Sequence, residues 1–154
     1  MIVALLLACA GSIAPYDEAR EPQRRAELEA AVRAKLGPAY DQEVPGLAEA
    51  DLALGKEVWY KNCDPCPGPH GQGDGPRADR MSPPPADLLT TRRLSTAGEL
   101  EILRSGSPGT GMAAFGRSLP DHHLLAVTRY IRWLRENPPA PPEEEEKPPP
   151  EEKR

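Results

Sequence analysis

The placement of proline limits this chain more than any other feature. Seven prolines fall between Pro65 and Pro85, and seven more follow Asn137. Inside a helix, proline removes a backbone hydrogen bond and clashes with the preceding turn. In a central strand it removes a ladder bond. Neither stretch can form a regular element, so the ordered part must lie on either side of a long loop. Only 38% of the 154 residues are hydrophobic, with one Phe among them. A core this thin, interrupted by loops this long, needs something besides apolar side chains to organise it. A cofactor would serve.

Four segments carry a helical pattern. Glu21 to Leu36 places Leu28, Ala31, Val32 and Leu36 on one face, and Gly37-Pro38 stops it. A second helix runs from about Asp51 to Asn62, with Leu52, Gly55 and Trp59 on one stripe. Thr96 and Glu99 have capping-box spacing for a short third helix carrying Ile102 and Leu103. The fourth begins near Pro120-Asp121, a favourable first turn, and carries Leu124, Val127, Ile131 and Leu134 on one face. Asn137-Pro138 ends it. No segment alternates as a strand does, and there is no internal repeat. The expected class is all-α with long irregular loops. Residues 10–50 form an N-terminal helix and connector, 51–136 a domain, and 137–154 a disordered proline- and glutamate-rich tail that cannot pack a core.

Residues 1–9 read as an export segment. The apolar run Ile2 to Ala8 is too short to cross a bilayer. Leu6-Leu7-Ala8-Cys9 looks like a bacterial lipobox, in which the cysteine carries the lipid; a plain cleaved signal is the alternative. Both readings put the protein outside the cytoplasm, on the periplasmic side of a bacterial membrane, where thiols can be oxidised. The lipobox reading anchors it there through Cys9. The net charge is -5. Six glutamates against Lys147, Lys153 and Arg154 put most of it in the tail. The remainder is near balance, and nothing suggests nucleic-acid binding.

The chemistry lies in Cys63-Asp64-Pro65-Cys66, which runs on to Gly71-Gln72-Gly73-Asp74-Gly75-Pro76. In a short exported chain, C-x-x-C reads as haem attachment, half a metal site or a redox dithiol. Zinc takes about four ligands, and the only other cysteine is Cys9. A thioredoxin-type dithiol needs a βαβ context, which is missing. Haem attachment fits the surroundings, because two thiols one helical turn apart can add to two vinyl groups on one porphyrin edge. Met112, in the glycine-rich stretch Gly106 to Gly116, can bring a thioether to the iron.

These pieces together make the stretch from Asp51 to Glu136 resemble a class I, single-haem bacterial cytochrome c. Gly55 and Trp59 resemble the N-terminal helix positions that pack against an aromatic of the C-terminal helix, here Tyr130. Cys63 and Cys66 resemble the thioether cysteines, and Gly71 to Pro76 the loop that follows them. Met81 to Leu88, with Pro83-Pro84-Pro85-Ala86-Asp87, is a common family segment, and Gly106 to Gly116 resembles the Met-ligand loop, with Ala113 where the family often has Pro. The resemblance implies a cytochrome c-like bundle of short helices around a haem. It implies haem c bound through Cys63 and Cys66, with Met112 as an axial ligand. The implied role is electron transfer rather than catalysis. Its partners would be other redox proteins, a membrane respiratory complex among them. No nucleophile–base pattern or phosphate loop points to an enzyme.

One position departs from the family. The residue after the second Cys should be His, the proximal iron ligand; here it is Pro67. Proline has no side-chain lone pair and no backbone N–H. One base change converts a His codon to a Pro codon, and the flanking residues are otherwise intact. His70 is a substitute ligand or an exposed loop histidine, and Pro67-Gly68-Pro69 breaks any helix that would carry it toward the iron. His122 and His123 read as exposed, and Met81 as loop filling. Three outcomes stay open. Haem could be attached, with iron held by Met112 alone or with His70. The domain could be a haem-free pseudo-cytochrome, its two cysteines joined, acting as a binding or structural module. Cys63, Cys66 and His70 could form a copper or zinc site, though three ligands leave it incomplete.

Overall fold

The computed structural model describes residues 16–91 and 94–140. Cys9, the export segment and residues 141–154 of the tail lie outside the described residues. Every regular element in the described residues is helical. The order is α1 (Glu21–Leu36), α2 (Leu52–Asn62), α3 (Thr96–Ser105) and α4 (Asp121–Glu136), with 3-10 turns at Glu18–Arg20, Gly37–Asp41 and Ala78–Arg80. The all-α class and the four expected helices are present, with ends within about a residue of those read from the sequence. No described helix is long and apolar enough to cross a membrane.

Local chemistry sets these ends. Gly37 stops α1 at φ 55°, a left-handed conformation that costs other residues more. Asp51 caps α2, its carboxylate accepting from the N–H groups of Ala53 at 2.8 Å and Leu54 at 3.1 Å. The cap of α3 is Ser95, whose Oγ accepts from Gly98 N at 3.1 Å. This corrects the capping box expected of Thr96 and Glu99. Glu99 instead pairs with Arg135 of α4, Oε1 to Nη2 at 2.6 Å. Arg135 also donates through Nε to Leu88 O at 2.9 Å, so it ties α4 to α3 and to the proline-rich loop.

The core is a seam between α2 and α4 with α3 across it. Val58 and Trp59 pack with Leu100, Leu103, Leu124, Val127, Tyr130, Ile131 and Leu134. The seam is close because α2 has no side chain at Gly55. A Cβ there would lie 2.1 Å from Ala126 O and 3.0 Å from Tyr130 Cβ. Trp59 and Tyr130 meet with ring centroids 6.1 Å apart, the pairing that the resemblance implied. Two expected core positions differ. Leu100 joins Leu103 in the core of α3 while Ile102 is only half-buried, and Ala31 of α1 is exposed. On α1 the buried residue is Val32, with Leu28 and Leu36 half-buried, and Ala31 falls outside that face.

The connector contributes one deeply buried side chain. Tyr40 is 2% exposed, accepts from Ser95 N at 3.2 Å, and lies under the Arg33 guanidinium at 4.0 Å. Its ring fills the space beside Gly98, where a Cβ would come within 2.9 Å. Tyr40 thus fastens the connector to the start of α3.

Candidate functional site

Cys63 follows directly on α2, its N–H bonded to Trp59 O at 2.8 Å. The turn to Cys66 closes with Cys66 N on Cys63 O at 3.2 Å. The following loop folds back over this turn. Gly68 N bonds Asp64 O at 2.8 Å, Gly73 N bonds Pro67 O at 2.8 Å, and Gly75 N bonds Cys66 O at 3.0 Å. Gly68, Gly71 and Gly73 all take positive φ, between 77° and 84°, which explains glycine at these three positions. At Gly75 a Cβ would come within 2.5 Å of Cys66 O, so the loop lies directly on the cysteine turn. Leu88 N on Gly71 O at 2.7 Å attaches the proline-rich segment to the same loop.

The Met112 loop leaves α3 at Gly106 and is fastened back to it. Phe115 N bonds Leu103 O at 2.9 Å, and Gly116 N bonds Arg104 O at 3.1 Å. Met112 N donates to Thr110 Oγ1 at 3.1 Å. The Met112 side chain is half-buried against the core cluster.

Between these loops lies a cleft of about 340 Å³ lined by Cys66, Arg77, Arg80, Met81 and Gly111. The expected Cys66 and the Met112 loop, through Gly111, meet at this cleft. Cys63 packs half-buried against the core behind it. Arg77, Arg80 and Met81 are the additions. The two arginines are exposed and have no side-chain partner among the described residues. Arg77 flanks and Arg80 ends the 3-10 turn Ala78–Arg80, and Met81 follows. Nothing in their spacing alone signals a site.

His70 is exposed, and no three His, Cys, Asp or Glu groups among the described residues are placed to hold a metal ion. The set Cys63, Cys66 and His70 is therefore not assembled. His122 and His123 stack edge to face, 4.5 Å apart, at the start of α4; His123 is half-buried rather than exposed as expected.

Both cysteines are free thiols. Burial pushes the Cys63 thiol up to about 12, with the charges of Asp64 and Cys66 adding to the effect. A thiol held neutral in this way is a poor partner in thiol–disulfide exchange, which needs the thiolate. This disfavours the dithiol reading.

A solved structure shares this fold. It is a chain of the reducing HAO-like protein complex of Kuenenia stuttgartiensis, matched with a TM-score of 0.51 and 24% identity over 62% of this chain and 46% of that one. This chain spans less than half the length of that neighbour. The likeness is one of fold. No family model matches the chain, and no curated protein is similar to it in sequence.

The donor set fits a porphyrin in part: Cys66 and two arginines line the cleft, while Cys63 and Met112 pack against the core. Two free thiols sit one turn apart, with Cys66 on the cleft wall. Arg77 and Arg80 on the same wall suit a group bearing two carboxylates. Thioethers stand at Met81 and, next to Gly111, at Met112. The missing element is a nitrogen donor at position 67.

Proposed function

We propose that this chain is an electron carrier of the c-type cytochrome kind, with haem c attached through Cys63 and Cys66 in residues 51–136. The observation that carries this reading is the cleft. It brings the second cysteine of the motif, two unpaired arginines and a thioether against the Met112 loop. Cys63 and Cys66 tether the group, and Arg77 and Arg80 neutralise its carboxylates. Met112 would offer its thioether to the iron, and thioether ligation raises the potential. When bound, the haem supplies a one-electron change at its iron. The chain supplies orientation, exclusion of water from the core side, and an open edge at the cleft for transfer to a partner. Those partners are redox proteins met through small interfaces, a membrane respiratory complex among them. The apolar run before Cys9 supports an exported, lipid-anchored protein on the periplasmic side.

Pro67 favours a second reading, a haem-free pseudo-cytochrome that serves as a binding or structural module, because it removes the imidazole that the family uses. Expression beside a cytochrome c attachment system separates the two. A c-type absorption spectrum that sharpens on reduction supports the electron carrier. No haem in the native chain, with haem gained by Pro67→His, assigns the haem-free module.

A further inference from the structure

We propose that the proline- and glutamate-rich segment after α4 docks on an exposed aromatic face formed by α2 and α4. The occupant is this chain's own stretch Pro138-Pro139-Ala140-Pro141-Pro142, followed by Glu143 to Glu146. The inference goes beyond the cytochrome reading and does not depend on haem. Tyr60, 43% exposed, and Trp133, 38% exposed, are the large hydrophobic side chains left open among the described residues. They belong to one surface because the buried Tyr130 meets both. Its ring stacks on Trp133 with centroids 5.5 Å apart and 15° between the planes, and its hydroxyl lies beside Tyr60. Aromatic grooves of this kind take proline-rich segments, whose extended form is already set and loses little entropy on docking.

Cations accompany the rings. Lys56 stands one helical turn before Tyr60, exposed and without an ion pair among the described residues. Arg129 stands one turn before Trp133, and its Nη1 donates to Ala50 O. The nearby acids are already engaged. Glu57 pairs with Lys61 at 2.6 Å, and Glu136 lines a separate cavity with Arg132 and Arg135. Glu143 to Glu146 carry the charge opposite to Lys56 and Arg129.

The segment starts at the right place. Asn137 leaves the helical conformation at φ -128° and ψ 61°, while its Nδ2 donates to Trp133 O at 2.9 Å. Pro139 is half-buried between the exposed Pro138 and Ala140. At about 1.5 Å per residue along α4, Trp133 lies about 6 Å and Arg129 about 12 Å back from residue 137. Residues 138–142 extend over about 16 Å at about 3.1 Å per residue, enough to turn at the end of α4 and cover both rings. The glutamates that follow then fall beside the cations. So short a tether gives a local concentration in about the millimolar range, so contacts of modest strength suffice.

The test is NMR of the full chain, read at the Trp133 and Tyr60 rings. Nuclear Overhauser contacts from these rings to the δ-protons of Pro141 and Pro142 are expected. Glu143→Lys, Glu144→Lys, Glu145→Lys and Glu146→Lys made together should shift the Trp133 indole N–H and abolish the contacts. Salt at about 1 M, where the Debye length is about 3 Å, should weaken them in the native chain. These substitutions lie outside the described helices, so the variant keeps the core. Contacts that appear only as protein concentration rises assign the segment of a second copy and overturn the proposal. Rings without such contacts, and an indole resonance unchanged by the four substitutions, overturn it as well. The readout is the same with or without haem, so its failure is distinct from failure of the cytochrome reading.

Discussion

Alanine is a better helix former than glycine by about 1 kcal/mol, so on local grounds alone Gly55→Ala should stabilise α2. The structure gives the opposite sign. The new Cβ would lie 2.1 Å from Ala126 O and 2.7 Å from Ala126 C, both backbone atoms that cannot rotate away. An ordinary carbon–oxygen contact is about 3.3–3.6 Å, so α2 and α4 must part by roughly 1 Å at their crossing. A gap of that size forfeits about a quarter to a half of the dispersion well of each pair across the seam. The pairs affected include Trp59 with Tyr130. Overpacking of this kind costs up to about 3 kcal/mol, and subtracting the helix gain leaves a net loss of about 2 kcal/mol. For a domain of this size the melting temperature falls by about 11 °C. Thermal unfolding followed by circular dichroism reads this directly. A melting temperature that rises in Gly55→Ala would refute the described crossing.

Three other predictions follow from the same contacts. Glu99→Ala leaves the Arg135 guanidinium, 7% exposed, without its carboxylate, and should cost about 3 kcal/mol in chemical denaturation; a loss under 1 kcal/mol contradicts the pairing. Asp51→Ala removes the cap of α2 and should cost about 1 kcal/mol, while Asp51→Asn keeps most of the stability. Burial alone would raise the Glu21 carboxyl, but hydrogen bonds from Arg24, Arg25 and Tyr16 outweigh it and hold it at about 2. Its contribution is therefore present above pH 4.5 and is lost as pH falls from 4.5 toward 2. Both arginines are about a third exposed, so the effect is about 1 kcal/mol, and Glu21→Gln should lack this acid sensitivity in a urea titration at stepped pH.

What was legible in the sequence was local. Gly37, Asp51 and Asn137 end their helices through their own backbone or side-chain bonds, and each lies where the pattern put it. The cap of α3 fell one residue off because Ser95 and Thr96 carry equivalent hydroxyls, and only Gly98 N on Ser95 Oγ distinguishes them. Tyr40 was invisible as a core residue because its partner Ser95 lies 55 positions away. The same reason hid part of the site. Cys63, Cys66 and the Met112 loop have a spacing that resembles that of a known family and can be read directly. The placement of Arg77, Arg80 and Met81 on one wall depends on how the loop turns at Gly68, Gly71 and Gly73.

The most direct test of the account is the intact mass of the full chain after expression with a haem attachment system, measured under denaturing conditions. The account predicts a chain heavier by one haem, with neither Cys63 nor Cys66 open to alkylation before or after reduction. A chain without added mass, whose Cys63 and Cys66 both alkylate after reduction, would contradict it.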